Sequence, residues 1–141
     1  MPKTTNITRD NIWLLSRLDL LWNKHFADVS QDNPVTIKFG RYSKYRLGSI
    51  KLNKLSGFSH ITITGMFKDL SIPTEVIEHT IAHEMIHYAH GFSSNKRRMH
   101  HYPHEGGVVN IEMEKRGLGY LTKAYKAWVK LYRTQLSGLN G

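Results

Sequence analysis

The stretch from Pro73 to His90, PTEVIEHTIAHEMIHYAH, narrows what this chain can be more than any other. At helical pitch, Ile77, Ile81, Met85 and Tyr88 fall within about 80° of one another and make an apolar stripe. His79, His83, His87 and His90 gather on the opposite side. The ends agree with a helix. Pro73 suits a first turn, Glu75 and Glu78 complement the positive end of the helix dipole, and Gly91 is a natural stop. The spacing predicts a helix over 73–90 that buries one side and presents imidazoles on the other.

Residues 83–87 within it read His-Glu-Met-Ile-His, the H-E-x-x-H pattern. Positions four apart on a helix lie about one turn apart, so the imidazoles of His83 and His87 can meet on one ion. Glu84 follows the first ligand, and its carboxylate can reach a water on the metal without being a ligand. The metal would lower that water's pKa toward about 7, and Glu84 would take its proton as general base. The chain has no cysteine, which excludes a thiolate zinc site, a disulfide framework and a cysteine nucleophile. Any metal must be held by His, Asp or Glu.

A catalytic zinc usually takes three protein ligands and keeps a fourth position open. His79 and His90 lie on the same helix, one before and one after the pair, and cannot close a tetrahedron around an ion between His83 and His87. They are expected to be exposed or to line the cleft. The third ligand should come from an element that crosses the first. Residues 104–116, entered after Pro103 and ended at Gly117, make such a helix, with Val108, Ile111 and Met113 placed to dock it. His104 is the leading candidate and Glu112 the second, a choice that separates two types of zinc peptidase. His100 and His101, next to Lys96, Arg97 and Arg98, look like part of a flexible basic loop.

Composition fits one domain over residues 1–141, since 40% of residues are apolar and 22% charged, enough to bury a core. No repeat or Gly/Ser/Pro tract divides it. Residues 8–26 carry apolar side chains at 12, 15, 18, 22 and 26, a helical period, with Trp13 and Trp22 as core anchors. Three short β-branched segments follow at 35–39, 49–53 and 60–64. After the motif helix and the 104–116 helix, LTKAYKAWVKLYRTQL forms a last helix to near Leu136, ahead of a fraying tail. A helix, a small sheet and then helices make an α+β chain. The polar opening MPKTTNITRD lacks the apolar core of a secretion signal, and no run is long enough to span a bilayer. A cytoplasmic protein with no membrane partner is expected.

Lys and Arg number 20 against 11 acidic residues, a net charge of +9 that favours polyanions, DNA among them. The densest candidate surface interleaves Lys38, Arg41, Lys44 and Arg46 with Tyr42 and Tyr45, a pattern able to track phosphates and stack on bases. A solvated hairpin is the plainer account of the same residues.

In their order along the chain these pieces resemble the SprT-like zinc metallopeptidase domain of the SprT/Spartan family. The likeness covers about residues 10 to 118. It is carried by NKHF (23–26), KFGRYSKYRLGSIKLN (38–53), PTEVIEHTIAHEMIH (73–87) and PHEGGVVNIEMEKRGLG (103–119). The resemblance implies a zincin-like fold and a single Zn2+ ion held by His83, His87 and His104, with Glu84 as the catalytic base. It implies an endopeptidase acting on protein or peptide substrates, with DNA-bound proteins as one class. Glu105 and Val108 stand where the family usually has a glycine and an aromatic residue. With no cysteines for a zinc ribbon and no long partner-binding extension, the chain reads as a minimal catalytic core. The same residues also fit a gluzincin-type metallopeptidase with Glu112 as third ligand and no DNA link. They fit, too, a non-catalytic, metal-stabilised DNA-binding module, although a purely structural site has no use for Glu84.

Overall fold

Asp10 starts the first helix, its carboxylate accepting a hydrogen bond from the Trp13 N–H at 2.9 Å and so satisfying a donor that helix starts leave free. In the computed structural model, which describes residues 7–140 and the side chains of residues 7–135, this helix, α1, spans Asn11–His25. Three strands follow, β1 (Val35–Phe39), β2 (Gly48–Leu52) and β3 (Ser59–Ile63), then α2 (Thr74–Ala89), α3 (Val108–Lys115) and α4 (Gly119–Asn140). The chain is α+β, with four helices and a three-stranded mixed sheet among the described residues. The strands lie within one residue of their expected positions. Helix α4 continues past Leu136 to Asn140 where a frayed tail was expected, while residues 1–6 and Gly141 lie outside the described residues.

The buried face of α1 is not the expected one. Leu14, Leu18 and Leu21 are buried, and Phe26 just past the helix is fully so, whereas Ile12 and Leu15 are 79% and 46% exposed. The leucine-rich sequence offers two overlapping stripes of helical period, and docking against β1 and α2 selects between them. Trp13 and Trp22 are half-buried rim residues. Trp22 donates its indole N–H to the Val29 carbonyl at 2.8 Å, and the Arg9 and Arg17 guanidinium groups lie over Trp13.

The strand order is β1-β3-β2, with β1 parallel and β2 antiparallel to β3. Residues 35–52 are therefore not a hairpin, because β3 lies between the two strands. The connection 40–47 passes over the C-terminal end of β3 and is held there by Thr64. The Thr64 hydroxyl accepts from the Ser43 N–H and donates to the Ser43 carbonyl, both at 2.8 Å. The Gly65 N–H donates to the Arg41 carbonyl, and a Cβ on Gly65 would sit 2.8 Å from the Gly40 oxygen. This close backbone approach fixes the basic, tyrosine-bearing segment at one end of the sheet.

Helix α2 is the centre of the molecule. Ile77, Ile81, Met85 and Tyr88 are buried as expected, but so are His79, Glu84 and His87. The helix is not one-sided, because α3 and α4 pack over the face that carries the imidazoles. It ends in a Schellman turn, with the Phe92 N–H donating to the His87 carbonyl at 2.9 Å and Gly91 at φ +85°. A side chain at Gly91 would also run into the Arg97 carbonyl.

Candidate metal centre

One turn of α2 separates His83 from His87, and their ring centres are 4.7 Å apart. His104 arrives from another element, immediately before the 3-10 turn Glu105–Gly107 that leads into α3. Gly106 and Gly107 have φ of +57° and +68°, a left-handed pair that turns the chain sharply between His104 and α3. The His104 ring centre lies 5.2 Å from that of His83 and 4.7 Å from that of His87. One ligand atom from each of the three lies within 4.8 Å of the others, and His83 Nε2 is 3.1 Å from His104 Nε2. With metal–nitrogen bonds of 2.0–2.1 Å, the edge of a tetrahedron is about 3.3 Å, so this separation suits two imidazoles on one ion. The three histidines can hold a metal ion, and an all-imidazole set suits several first-row metals.

The electrostatics favour ligation. Burial, with His104 and His79 nearby, lowers the pKa of His83 to about 4. Burial, with His83 and His104 nearby, lowers that of His87 to about 3. Both rings are thus neutral near pH 7, the form that binds metal. The buried Nδ1 of His87 has no hydrogen-bond partner among the described residues.

Glu84 is only 6% exposed, and burial raises its pKa to about 7 against an opposing pull from Arg46. Its neighbour across the cleft is Gly48, the first residue of β2. A Cβ there would lie 2.7 Å from Thr80 Cγ2 and 3.2 Å from Glu84 Oε2, so the missing side chain gives the carboxylate its room. A cleft of about 290 Å³ opens beside it, lined by Tyr45, His79, His83, Thr122, Tyr125 and Lys126 among others. His79 stacks on Tyr125 with ring centres 4.3 Å apart and planes 8° apart. Burial and the nearby Lys126 lower its pKa to about 4.

Several expectations need correction. His90 is neither exposed nor among the residues lining that cleft. It is 2% exposed and faces Glu112, with His90 Nε2 3.5 Å from Glu112 Oε1. His79, by contrast, lines the cleft as expected, although it is only 6% exposed. Both are covered by helices distant in sequence, which the α2 wheel does not register. Glu112, the rival ligand, points elsewhere, accepting from Arg116 Nε at 2.9 Å. Val109 and Met113 dock α3, while Ile111 is 50% exposed. The basic loop is tied down along part of its length, the Asn95 N–H donating to Asn33 Oδ1 and the Met99 N–H to the His90 carbonyl.

Lys38, Arg41, Tyr42, Lys44, Tyr45 and Arg46 are all exposed. Arg46 and Tyr45 extend toward the Glu84 cleft, and Tyr42 lines a groove with Trp128 and Tyr132 of α4. The cleft's α4 wall, Thr122, Tyr125 and Lys126, was not foreseen. Its spacing of three and four places those residues on one helical face, but nothing local says that the face turns toward α2.

Fold and site together define an α+β protein with a three-histidine candidate metal centre beside a buried carboxyl group. No helix among the described residues is long and apolar enough to cross a membrane. Comparison of the chain with protein-family models, curated proteins and solved structures finds no match in any of the three.

Proposed function

We propose that this protein is a zinc-dependent endopeptidase of the SprT-like, zincin-like type. The observation that carries the proposal is the meeting of His83, His87 and His104 next to a buried Glu84 at an open cleft. Those three imidazoles would hold the ion. Zinc, when bound, supplies Lewis acidity toward a water molecule and toward the scissile carbonyl.

Glu84 accepts a proton on its carboxylate and returns it to the leaving amine. A carboxyl group near pH 7 in its pKa can do both, and a cation on the adjacent histidines pulls it toward the ionised form that a base needs. Strand β2 is an edge of the sheet and begins at Gly48, against Glu84. Its outer backbone groups can pair with an extended peptide and lead it past the carboxylate. The test is cleavage of an unfolded protein such as casein. Zinc-loaded protein is expected to cut it, a chelator to stop the cutting and added zinc to restore it. Cleavage that persists without metal, or none with a full complement of zinc, would overturn the proposal.

DNA as a further partner is favoured by one arrangement. Tyr42 and Tyr45 are 63% and 84% exposed, and their segment lies near α4, which carries Lys126, Lys130 and Arg133. Cations interleaved with exposed rings suit single strands, and DNA-bound proteins would then be the substrates. For about five phosphate contacts, affinity for single-stranded DNA should fall roughly a hundredfold between 50 and 200 mM salt. Absence of binding in a low-salt shift assay would remove DNA and leave the peptidase intact.

A further inference from the structure

We infer that the cleft beside Glu84 is a side-chain subsite that selects an acidic residue, Asp or Glu, flanking the scissile bond, with Lys126 of α4 as the selecting group. The inference rests on the peptidase proposal and names what that site prefers.

The charges in and around the cleft are unbalanced. Lys126 lines it and makes no ion pair among the described residues, yet lies near enough to His79 to disfavour protonation of that ring. Arg46 acts on Glu84 from the β1–β2 connection and likewise has no ion-pair partner among the described residues. Glu84 is the only carboxyl group among the lining residues, and it is committed to the reaction. Apart from Glu84 and Lys126 the polar lining is neutral, and it includes the exposed Asn110 amide.

An incoming carboxylate would find there what such a group requires on leaving water: the ammonium of Lys126 and, in exposed Asn110, an amide donor. The ring of Tyr125, stacked against His79, and the side chain of Leu47 offer apolar wall for its methylene stem. A lysine or arginine side chain would instead meet the Lys126 ammonium in the cleft wall, with Arg46 adding a second positive charge near Glu84. Charge-assisted hydrogen bonds of this kind are worth enough to favour the acidic residue by about tenfold to a hundredfold.

Two measurements test it. In the first, zinc-loaded protein digests a peptide library, and the cut sites are mapped for the parent, Lys126→Gln and Lys126→Glu. In the second, anisotropy reports binding of a labelled aspartate-rich peptide and its lysine-rich counterpart to Glu84→Gln, with and without Lys126→Glu. The expected result is that the parent cuts beside Asp or Glu at least about tenfold faster than beside Lys or Arg. Lys126→Gln should flatten that preference and Lys126→Glu should reverse it. Cleavage with a preference that Lys126→Glu leaves unchanged overturns the subsite and spares the peptidase. No cleavage by the parent, together with acidic-peptide binding that Lys126→Glu abolishes, keeps the subsite and rejects the peptidase. Lys126-dependent binding of an oligonucleotide, with no discrimination between the two peptides, overturns the inference in favour of phosphate.

Discussion

Glu84→Gln should leave zinc bound and lower kcat for proteolysis by about 10² to 10⁴-fold, the usual contribution of a positioned general base. Glutamine keeps the shape of the side chain at Gly48 and Thr80 but cannot accept the proton. A second consequence separates this from simple damage. In metal-free protein, burial raises the Glu84 pKa from 4.5 to about 7. A carboxyl group shifted upward on folding costs stability above its unfolded value, increasingly until the pH passes the folded one. Glutamine carries no such cost. The stability of Glu84→Gln relative to the parent should therefore rise by about 3 kcal/mol between pH 4 and pH 8, visible as a Tm difference that opens with pH. Parental cleavage rates in Glu84→Gln would end the catalytic role, and a Tm difference independent of pH would end the assignment of a strained carboxyl group.

His104→Ala and Glu112→Ala should have opposite effects. His104 is exposed and touches the other two histidines, so its removal should change metal-free stability by no more than about 0.5 kcal/mol. It should nevertheless weaken zinc binding by more than the roughly 10–100-fold that losing an outer-shell partner costs. Glu112 accepts from Arg116 and faces buried His90, so Glu112→Ala should retain zinc while losing about 1–3 kcal/mol of stability. Zinc titration and chemical denaturation of the two variants measure both quantities. Release of zinc by Glu112→Ala and retention by His104→Ala would replace the three-histidine site with the glutamate type.

The legible parts of this molecule are those set within one element. The pairing of His83 with His87, the start of α2 after Pro73 and its stop at Gly91 all follow from helical pitch and from what proline and glycine do to a backbone. Strand positions were legible for a similar reason, since β-branched runs between turn residues mark themselves. The errors fall where several local answers are nearly equal. Residues 12, 15 and 18 of α1 fit the helical period as well as 14, 18 and 21 do, and only contact with β1 and α2 separates them.

By itself the chain determined an α+β composition, a helix carrying two imidazoles and a carboxylate in register, and the absence of any thiolate ligand. Tertiary structure decided the rest. It brought His104 across to the pair, set Glu112 against His90, placed β3 between β1 and β2, and laid Thr122, Tyr125 and Lys126 against the Glu84 cleft. The physical reason is range. Positions a turn apart are related by backbone geometry alone, whereas groups tens of residues apart meet only if packing the whole core happens to bring their elements together.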